Sequence, residues 1–278
     1  MVASSLPAPR LAKRTIDNIP LFTDDALFDA SSVRICFTGR AGGKSEGAYA
    51  SLNLGTHVND DSVVVRENRA LLLRALGAEG APLIVPNQVH GTDIVDVEGA
   101  DGDAFERARA LAARGADALC VPVRGVAALL CFADCVPVII VSPTGNFVVA
   151  HAGWRGAVGR IASKSVRHLA RIDGATTGCA SSPSQFNAYI GPHIHRECFE
   201  VGEEVSSRFA EEFGAGCVPD QRHVDLEAAL RADLSSAGMD ESRIASAGVC
   251  TKCAPDEFFS YRASGGVCGR HGALAFRS

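Results

Sequence analysis

Apolar and polar positions along the chain predict a strand-rich core covered by helices. Four short apolar runs separated by turns predict buried strands at residues 118–123, 127–132, 136–141 and 146–150. Helical spacing and strong helix formers predict helices over residues 61–76, 103–114, 156–171, 202–213 and 225–237. Shorter strand-like runs fall at 33–37, 83–86, 94–97, 186–190, 244–249 and 273–277. We expect an α+β fold, a single domain of layered β-sheets flanked by helices over residues 31–278, preceded by an irregular N-terminal segment, residues 1–30.

The longest apolar stretch, residues 125–141, does not predict a membrane span. Asp134 lies in its middle, where a charged residue costs about 3 kcal/mol on insertion scales. Pro137 would also break a helix at this place. Two consecutive buried strands account for the stretch, and no membrane association is expected.

Composition and charge narrow the possible partners. The 278 residues carry 27 Lys+Arg against 32 Asp+Glu, a formal net charge of −5, so bulk charge does not attract a nucleic-acid backbone. Ten cysteines are too few for a disulfide-stapled scaffold of this length, and residues 1–20 hold no apolar run of signal-peptide length. We expect a cytoplasmic monomer with mostly free thiols that acts on a small molecule and binds no nucleic acid.

A glycine-rich segment after the first predicted strand is close to a phosphate-binding loop but departs from its spacing. Residues 38–45 are Thr-Gly-Arg-Ala-Gly-Gly-Lys-Ser. A Walker A loop needs four residues between its first glycine and the Gly-Lys pair, whereas Gly39 and Gly43 enclose three. No helix is predicted directly after Ser45, so an ordinary glycine turn is the better interpretation.

Three short blocks concentrate the reactive side chains at the ends of predicted strands, where side chains of neighbouring strands converge. They are Asn87-Gln-Val-His-Gly91, Ala133-Asp-Cys-Val-Pro137 and Val149-Ala-His-Ala-Gly-Trp-Arg-Gly156. The imidazoles of His90 and His151 and the thiolate of Cys135 suit Zn²⁺, and three protein ligands leave its fourth position open. Taken singly, such histidines and cysteines are more often structural, and their shared position is what favours a site.

These blocks resemble the YfiH/YlmD family, whose members have been described as laccase-domain or polyphenol oxidase proteins and as purine nucleoside phosphorylases. Gln-Val-His-Gly at 88–91, Ala-Asp-Cys-x-Pro-Val at 133–138 and His-Ala-Gly-Trp-Arg-Gly at 151–156 carry the match. It runs nearly end to end through further blocks in order. These are Phe37-Thr-Gly-Arg40, Gly42-Gly-Lys-Ser45, Ser51-Leu-Asn-Leu-Gly55, Glu67-Asn-Arg69, Ile190-Gly-Pro192, Phe199-Glu-Val-Gly202, Asp225-Leu226, Cys250-Thr251, Ser260-Tyr-Arg262 and Gly269-Arg270.

The resemblance implies a zinc site with His90, Cys135 and His151 as its ligands and as the catalytic residues, in a fold similar to toxin-type (CNF-like) cysteine hydrolases. It also implies phosphorolysis of adenosine, guanosine, inosine and methylthioadenosine with inorganic phosphate as co-substrate, and deamination of adenosine. Lys44 and His271 depart from the family pattern, so they bear on pocket charge and substrate preference. The residues expected to contact substrate or phosphate are Arg40, Asn53, Arg155, Arg262 and Arg270, although each arginine also suits a salt bridge.

The copper description attached to the family can be tested by counting histidines. A four-copper oxidase needs about ten histidines and a cysteine to hold its centres. The chain has eight histidines in total. Of these, His57 in a polar loop and His168 on a predicted exposed helix are poor candidates for ligands. Zinc is therefore expected rather than copper.

The pair Cys250-Thr-Lys-Cys253 has no assigned role. A single Cys-x-x-Cys is half of a structural zinc site. His193, His195 and Cys198 are candidates for the other half, but nothing in their spacing demands it. A redox pair and two unpaired thiols are the alternatives, and the family pattern covers Cys250 alone.

Other functions stay open beside the phosphorylase. One is a laccase-like polyphenol oxidase, and another is a hydrolase that edits peptidoglycan precursors through a metal-free pair of Cys135 and His151. A non-enzymatic partner of the cell-wall machinery is the third. We favour Cys135 as a metal ligand rather than a nucleophile.

Overall fold

The computed structural model describes residues 5–177 and 181–278, which form two six-stranded sheets and seven α-helices. The strands are β1 Ala12–Ile16, β2 Ile19–Thr23, β3 Val33–Thr38, β4 Leu83–Ile84, β5 Ile94–Asp96, β6 Ala118–Val121, β7 Ala127–Phe132, β8 Val136–Val141, β9 Phe147–Ala152, β10 Asn187–Ile190, β11 Ile244–Ser246 and β12 His271–Arg277. The helices are α1 Asp25–Ser31, α2 Ser62–Ala75, α3 Gly102–Arg114, α4 Trp154–Val158, α5 Ile161–Thr177, α6 Glu203–Phe213 and α7 Leu226–Ser236.

The chain passes repeatedly from one sheet to the other. The first sheet has the order β1-β2-β3-β12-β7-β4, and the second has the order β11-β10-β8-β9-β6-β5. Consecutive strands β4 and β5, β6 and β7, and β7 and β8 therefore belong to different sheets. Each of these connections crosses the space between the sheets, and two of them contain residues of the predicted site.

Three apolar layers hold the two sheets and the helices together. Along β9, Phe147 and Val149 pack between the sheets, whereas Val148 and Ala150 pack on the side of α5 and α7. On the outer face of the first sheet, Leu129 belongs to the same cluster as residues of α2. Because the central strands are buried on both faces, their sequences are continuous apolar runs without alternation.

The central strands agree closely with the sequence predictions. The predicted strands at 127–132 and 136–141 coincide with β7 and β8, so the apolar stretch around Asp134 is two strands. Within the described ranges, no helix has the length and apolarity that a membrane crossing requires.

The expectation of an irregular N-terminal segment over residues 1–30 is wrong from residue 12 onward, where two strands and a helix form. β1 and β2 form an antiparallel hairpin, and its turn residues Asp17 and Asn18 have φ angles of 48° and 66°. Such left-handed pairs suit two-residue hairpin turns, and aspartate and asparagine tolerate them. The hairpin escaped prediction because β1 is a mostly exposed edge strand without an apolar pattern. Asp24 then caps α1, its side chain accepting the Leu27 N–H.

The single helix predicted over 156–171 is two helices, α4 and α5. Gly159 and Arg160 separate them, and Arg160 has a φ of 64°. A left-handed residue ends the regular helical path, so α5 begins in a new direction.

The glycine-rich segment bends directly after β3, over residues 39–45, and no α-helix follows it directly, in agreement with the predicted glycine turn. A Cβ on Gly43 would lie 2.3 Å from the backbone oxygen of Ser51, so glycine is needed for this close approach. Lys44 pairs with Glu67 at 2.8 Å, and its N–H donates to the Asn68 side chain. The lysine is therefore engaged on α2 rather than in a phosphate cradle.

Candidate active site

The crossings between the sheets bring His90, Cys135 and His151 together. His90 lies in the connection from β4 to β5, and Cys135 lies in the connection from β7 to β8. His151 is on β9, and its register opposite Pro137 of β8 places it beside the Cys135 turn. Three segments remote in sequence therefore meet at one end of the sheets.

The three side chains have the geometry of a metal-binding set. One possible ligand atom from each of His90, Cys135 and His151 lies within 4.8 Å of the others. The two imidazole rings meet edge to face, with centroids 4.8 Å apart and planes at 71°. Two nitrogen donors and one sulfur donor fit Zn²⁺, and three ligands leave a tetrahedral position for substrate or water.

A buried carboxylate, Asp117, positions two of the three residues. The His151 ring meets it through Nδ1, 2.8 Å from Asp117 Oδ1, which leaves Nε2 for a metal ion. The same carboxylate accepts the backbone N–H groups of Val89, His90 and Gly91 at 3.3, 3.0 and 2.6 Å. One side chain therefore fixes both the ring of His151 and the loop that carries His90.

Sequence reasoning missed Asp117 because it lies outside the three motif blocks. A signal was present: it is an acidic residue directly before the fully buried strand β6. A buried carboxylate needs hydrogen-bond partners inside the protein, so such a position predicts a polar network. Gln88 lies inside the first block, but the sequence assigned it no role. Its amide hydrogen-bonds both backbone groups of Cys131 on β7, at 2.8 and 2.9 Å.

Gly153 permits the close approach of the ligand residues. A Cβ at this position would lie 2.5 Å from Nδ1 of His90 and 3.3 Å from Sγ of Cys135. The backbone of Gly153 is extended, with a φ of −69°, so the requirement for glycine is one of space and not of backbone conformation.

The charges of Cys135 and His151 stabilise each other. Burial opposes the thiolate, yet attraction to His151 and hydrogen bonds from His151 and His90 lower the pKa of Cys135 from 9.0 to about 6. Burial also opposes the imidazolium, yet Cys135 and Asp117 raise the pKa of His151 from 6.5 to about 9. In the absence of metal, the pair is therefore a thiolate and an imidazolium at neutral pH, and the thiolate is the form that binds metal or attacks an electrophile.

We expect alkylation of Cys135 in chelator-treated protein to rise with pH around a midpoint near 6. The thiolate is the reacting form, and a lowered pKa means that it is present above that pH and is lost below it. In a His151→Ala variant the midpoint moves up toward 9 or beyond, because burial is no longer offset by the imidazolium. Mass spectrometry of the Cys135 peptide after timed exposure to iodoacetamide measures both profiles.

Cys131 is the internal control for this experiment, because burial raises its pKa and it should stay unmodified. A Cys135 midpoint near 9 in the wild-type chain would contradict the expected ion pair.

A cavity of about 400 Å³ opens over the three residues. Its walls combine aromatic and aliphatic side chains with polar groups from several loops. The lining residues are His57, Gln88, His90, Cys131, Phe132, Ala133, Asp134, Cys135, His151, Ile194, Phe199, Tyr261, Arg262 and Arg270. This mixture of apolar surface and a few convergent polar groups is typical of a small-molecule site.

Two of the predicted phosphate-binding residues, Arg262 and Arg270, line this cavity. Arg262 donates from Nη1 to the Glu200 backbone oxygen at 3.0 Å, and Arg270 donates from Nη1 to Cys268 and Gly269 at 2.8 and 2.9 Å. These bonds hold both guanidinium groups at the rim of the cavity. Each guanidinium has further N–H donors besides the ones that make these bonds.

Arg40 and Arg155 are not among the residues that line this cavity, and their contact with substrate or phosphate stays a prediction. Arg40 donates to the backbone oxygens of Ala50 and Pro255 at 2.9 and 2.7 Å and so joins two loops. Arg155 is exposed on α4, with its guanidinium carbon 4.3 Å from the centre of the Trp154 ring.

Asn53 is also absent from the cavity wall, and its contact with substrate or phosphate stays a prediction. It is fully buried, and its Oδ1 accepts the backbone N–H of Arg270 at 2.8 Å. Its Nδ2 donates to Asp60 at 2.7 Å. Asn53 therefore positions the backbone of Arg270, which lines the cavity.

Two further histidines differ in their relation to the cavity: His57, a poor ligand candidate in the sequence, lines it, whereas His271, which departs from the family pattern, does not. His57 lies on the wall, and burial together with Arg270 lowers its pKa. His271 is fully buried against Phe132 and Phe258, and burial lowers its pKa to about 3. It is therefore neutral and adds no charge to the cavity.

The fold and the site define a single-domain α/β protein in which two sheets lie between helices and a His–Cys–His set faces an open cavity. The chain belongs to the family described as multi-copper polyphenol oxidoreductase laccase, whose model matches residues 34–278. The predicted family and the predicted layered fold are both confirmed.

Similar proteins and a similar solved structure agree with membership in this family. The chain is 36% identical over 238 residues to adenosine deaminase RL5 from an unknown prokaryotic organism, covering 80% of this chain and 86% of the relative. It is 36% identical over 253 residues to purine nucleoside phosphorylase YlmD of Geobacillus stearothermophilus, covering 86% and 87%. Among solved structures, YfiH of Bacillus licheniformis matches with a TM-score of 0.83 at 28% identity, over 96% of this chain and 99% of that one.

Proposed function

We propose that this protein is a zinc-dependent purine nucleoside phosphorylase that acts on adenosine, inosine, guanosine and methylthioadenosine and also deaminates adenosine. The observation that carries the proposal is the His90–Cys135–His151 set beneath a cavity of about 400 Å³ whose rim holds Arg262 and Arg270. The names of the relatives, a purine nucleoside phosphorylase and an adenosine deaminase, support the substrate class.

His90, Cys135 and His151 are the proposed zinc ligands and the catalytic residues. Asp117 bonds to Nδ1 of His151, so that Nε2 is the nitrogen left to bind a metal ion. A carboxylate commonly occupies this position behind a ligating histidine. Bound zinc would supply Lewis acidity that polarises an oxygen atom of a reactant. A multinuclear copper centre is disfavoured, because in the described part of the chain no group of possible ligands contains more than two histidines.

Arg262 and Arg270 are proposed to bind inorganic phosphate, since guanidinium groups pair with phosphate oxygens through two parallel hydrogen bonds. In phosphorolysis, a phosphate oxygen forms the bond to C1′ of the ribose while the bond from C1′ to N9 breaks. The electron pair leaves with the purine, which takes up a proton. Phe199 and Tyr261 provide flat surfaces on the cavity wall that suit a purine ring.

Deamination would use the same cavity. A water oxygen bonds to C6 of adenosine and the bond from C6 to the amino nitrogen breaks. One proton of the water completes the leaving ammonia, and the other ends on N1 of the product inosine. His57 faces the cavity with a lowered pKa, so at neutral pH it is a neutral imidazole, the form that can accept a proton.

A monomeric chain in the cytoplasm completes the proposal. None of the nine cysteines in the described ranges is in a disulfide, which suits a reducing compartment. The large exposed apolar residues, such as Val63, Leu111 and Val267, are scattered over different elements. Isolated exposed residues of this kind need no partner surface.

The test is incubation of zinc-loaded protein with inosine in the presence and absence of inorganic phosphate. We expect hypoxanthine and ribose 1-phosphate in equal amounts with phosphate, and no hypoxanthine without it. A His90→Ala variant, checked for folding by circular dichroism, should be inactive. Hypoxanthine release that is independent of phosphate, or full activity in the His90 variant, would reject the proposal.

The ion pair in the site favours a second candidate, a hydrolase that uses Cys135 as nucleophile on a peptidoglycan precursor. Cys135, His151 and Asp117 form a thiolate–imidazole–carboxylate series of the kind found in cysteine hydrolases. The two candidates differ in their response to chelation. A nucleophilic mechanism predicts activity in chelator-treated protein and stoichiometric loss on alkylation of Cys135, whereas the phosphorylase predicts restoration by zinc.

A further inference from the structure

Two loops outside the proposed chemistry bring three thiols and an imidazole together. One loop follows β10 and contains His195 and Cys198, and the other lies between β11 and β12 and contains Cys250 and Cys253. A parallel β-bridge between His193 and Cys250 joins the loops. Backbone pairing therefore holds the two loops close to each other, independently of the four side chains.

The sulfur atoms have nearly the spacing of a zinc site. Sγ atoms of Cys198, Cys250 and Cys253 all lie within 4.8 Å of one another, and those of Cys198 and Cys253 are 3.4 Å apart. Tetrahedral Zn²⁺ with bonds of about 2.3 Å to sulfur places its sulfur ligands about 3.8 Å apart. The backbone N–H of His195 also donates to Sγ of Cys250 at 3.4 Å, which stabilises negative charge on that sulfur.

His195 offers the fourth donor. Its Nε2 is buried and has no hydrogen-bond partner. Its Nδ1 lies 3.7 Å from the carboxylate of Glu197, and possible ligand atoms of His195, Glu197 and Cys250 lie within 4.8 Å of one another. A carboxylate beside one nitrogen and an unpartnered second nitrogen is the usual condition of a ligating histidine.

The spacings in the two loops are those of paired zinc-binding turns. His195 and Cys198 are separated by two residues, and Cys250 and Cys253 are separated by two residues. We propose that His195, Cys198, Cys250 and Cys253 bind one Zn²⁺ in a structural site, here called the Cys₃His site. It is separate from the site of His90, Cys135 and His151, and it does not depend on the proposed activity.

The role of the Cys₃His site is to fix one wall of the cavity. Ile194 and Phe199, which flank the first pair of ligands, line the cavity. The N–H of Ile194 donates to the backbone oxygen of Asp134 at 3.0 Å, and Thr251, between the second pair, donates to the Asp134 carboxylate at 2.6 Å. A metal ion that ties the loops together would therefore hold both against the turn that carries Cys135.

The test measures zinc per chain by elemental analysis of full-length protein prepared in reductant. We expect two zinc ions in the wild-type chain and one in a His90→Ala/His151→Ala variant. Adding Cys198→Ser and Cys253→Ser to that variant should remove the remaining ion. Substitution of Co²⁺ into the His90→Ala/His151→Ala chain should give the intense thiolate-to-metal absorption and tetrahedral visible bands of a three-sulfur site.

A Cys217→Ser change in the same background is the matched control, because Cys217 is a buried thiol outside the cluster, and it should keep the ion. The cobalt spectrum needs no cysteine variant, so it decides the matter even if the serine variants fail to fold. Two results would overturn the proposal. One is a His90→Ala/His151→Ala chain that is folded and binds neither zinc nor cobalt. The other is a chain that contains a Cys198–Cys253 disulfide and still binds no metal at these residues after the disulfide is reduced.

Discussion

Replacement of Asp117 by alanine is expected to cost both metal binding and stability. Zinc affinity should fall by about 10- to 100-fold, the usual effect of removing the carboxylate behind a ligating histidine. The free energy of unfolding should also fall, because buried donors left without a partner cost about 1–3 kcal/mol each. Zinc titration against a competing chelator and urea denaturation of the metal-free chain measure the two effects separately.

The stability loss follows from the number of groups that Asp117 satisfies. It accepts three backbone N–H groups, from Val89 to Gly91, and it pairs with the Nδ1 of His151. Burial of Asp117 is complete, so water cannot replace the carboxylate without a rearrangement. The same network lowers the pKa of Asp117, and the stability that this shift contributes is present above the unfolded pKa and is lost as the pH falls through the folded pKa.

The matched control is Asp93→Asn, an exposed carboxylate on the same connection between β4 and β5. It should leave zinc affinity and stability nearly unchanged. An Asp117→Asn variant keeps one acceptor oxygen and should lie between wild type and Asp117→Ala. Equal zinc affinity in the wild type and Asp117→Ala would contradict the positioning role of this carboxylate.

Gly153→Ala is expected to abolish tight zinc binding while leaving the fold intact. The new Cβ would lie 2.5 Å from Nδ1 of His90, so the ring or the loop that carries it must move. Displacement of a reacting group by about 1 Å can cost 10²-fold in activity. Zinc titration, phosphate-dependent activity and the melting temperature together measure this effect.

Gly202→Ala provides a closely matched control. Both glycines are helix N-caps without a side-chain cap, with φ and ψ of −69° and 170° at Gly153 and −75° and 161° at Gly202. A Cβ on Gly202 meets nothing within 4 Å. Since capping and backbone costs are alike, a loss of zinc affinity in Gly153→Ala alone isolates the steric effect. Equal affinity in both variants would show that the site tolerates a Cβ.

The positions of the central strands and of the three reactive blocks could be predicted from the sequence for one physical reason. Strands buried on both faces must be continuously apolar, so β7, β8 and β9 stand out without any knowledge of their partners. Reactive residues directly after or at the end of such strands are conspicuous against them. His90, Cys135 and His151 were selected in this way, and the structure places them together.

The N-terminal hairpin and the partners of the polar side chains could not be predicted from the sequence in this way. β1 is exposed, so its residues carry no apolar pattern, and only its pairing with β2 makes it a strand. Arg40 and Arg262 both lie in motif blocks, yet one joins loops and the other lines the cavity. Membership in a motif therefore does not show whether an arginine binds a backbone carbonyl group or a ligand.

The sequence by itself determined the layered α/β fold, the family and the residues capable of binding a metal ion. The tertiary structure decided which of those residues meet, because hydrogen-bond partners are set by register and chain crossings and not by local pattern. Asp117 reaches His151 from 34 positions away, and Cys198 reaches Cys253 from 55 positions away. Burial leaves a trace in the sequence through the apolar character that it requires, whereas a specific polar contact between distant residues leaves none until the chain has folded.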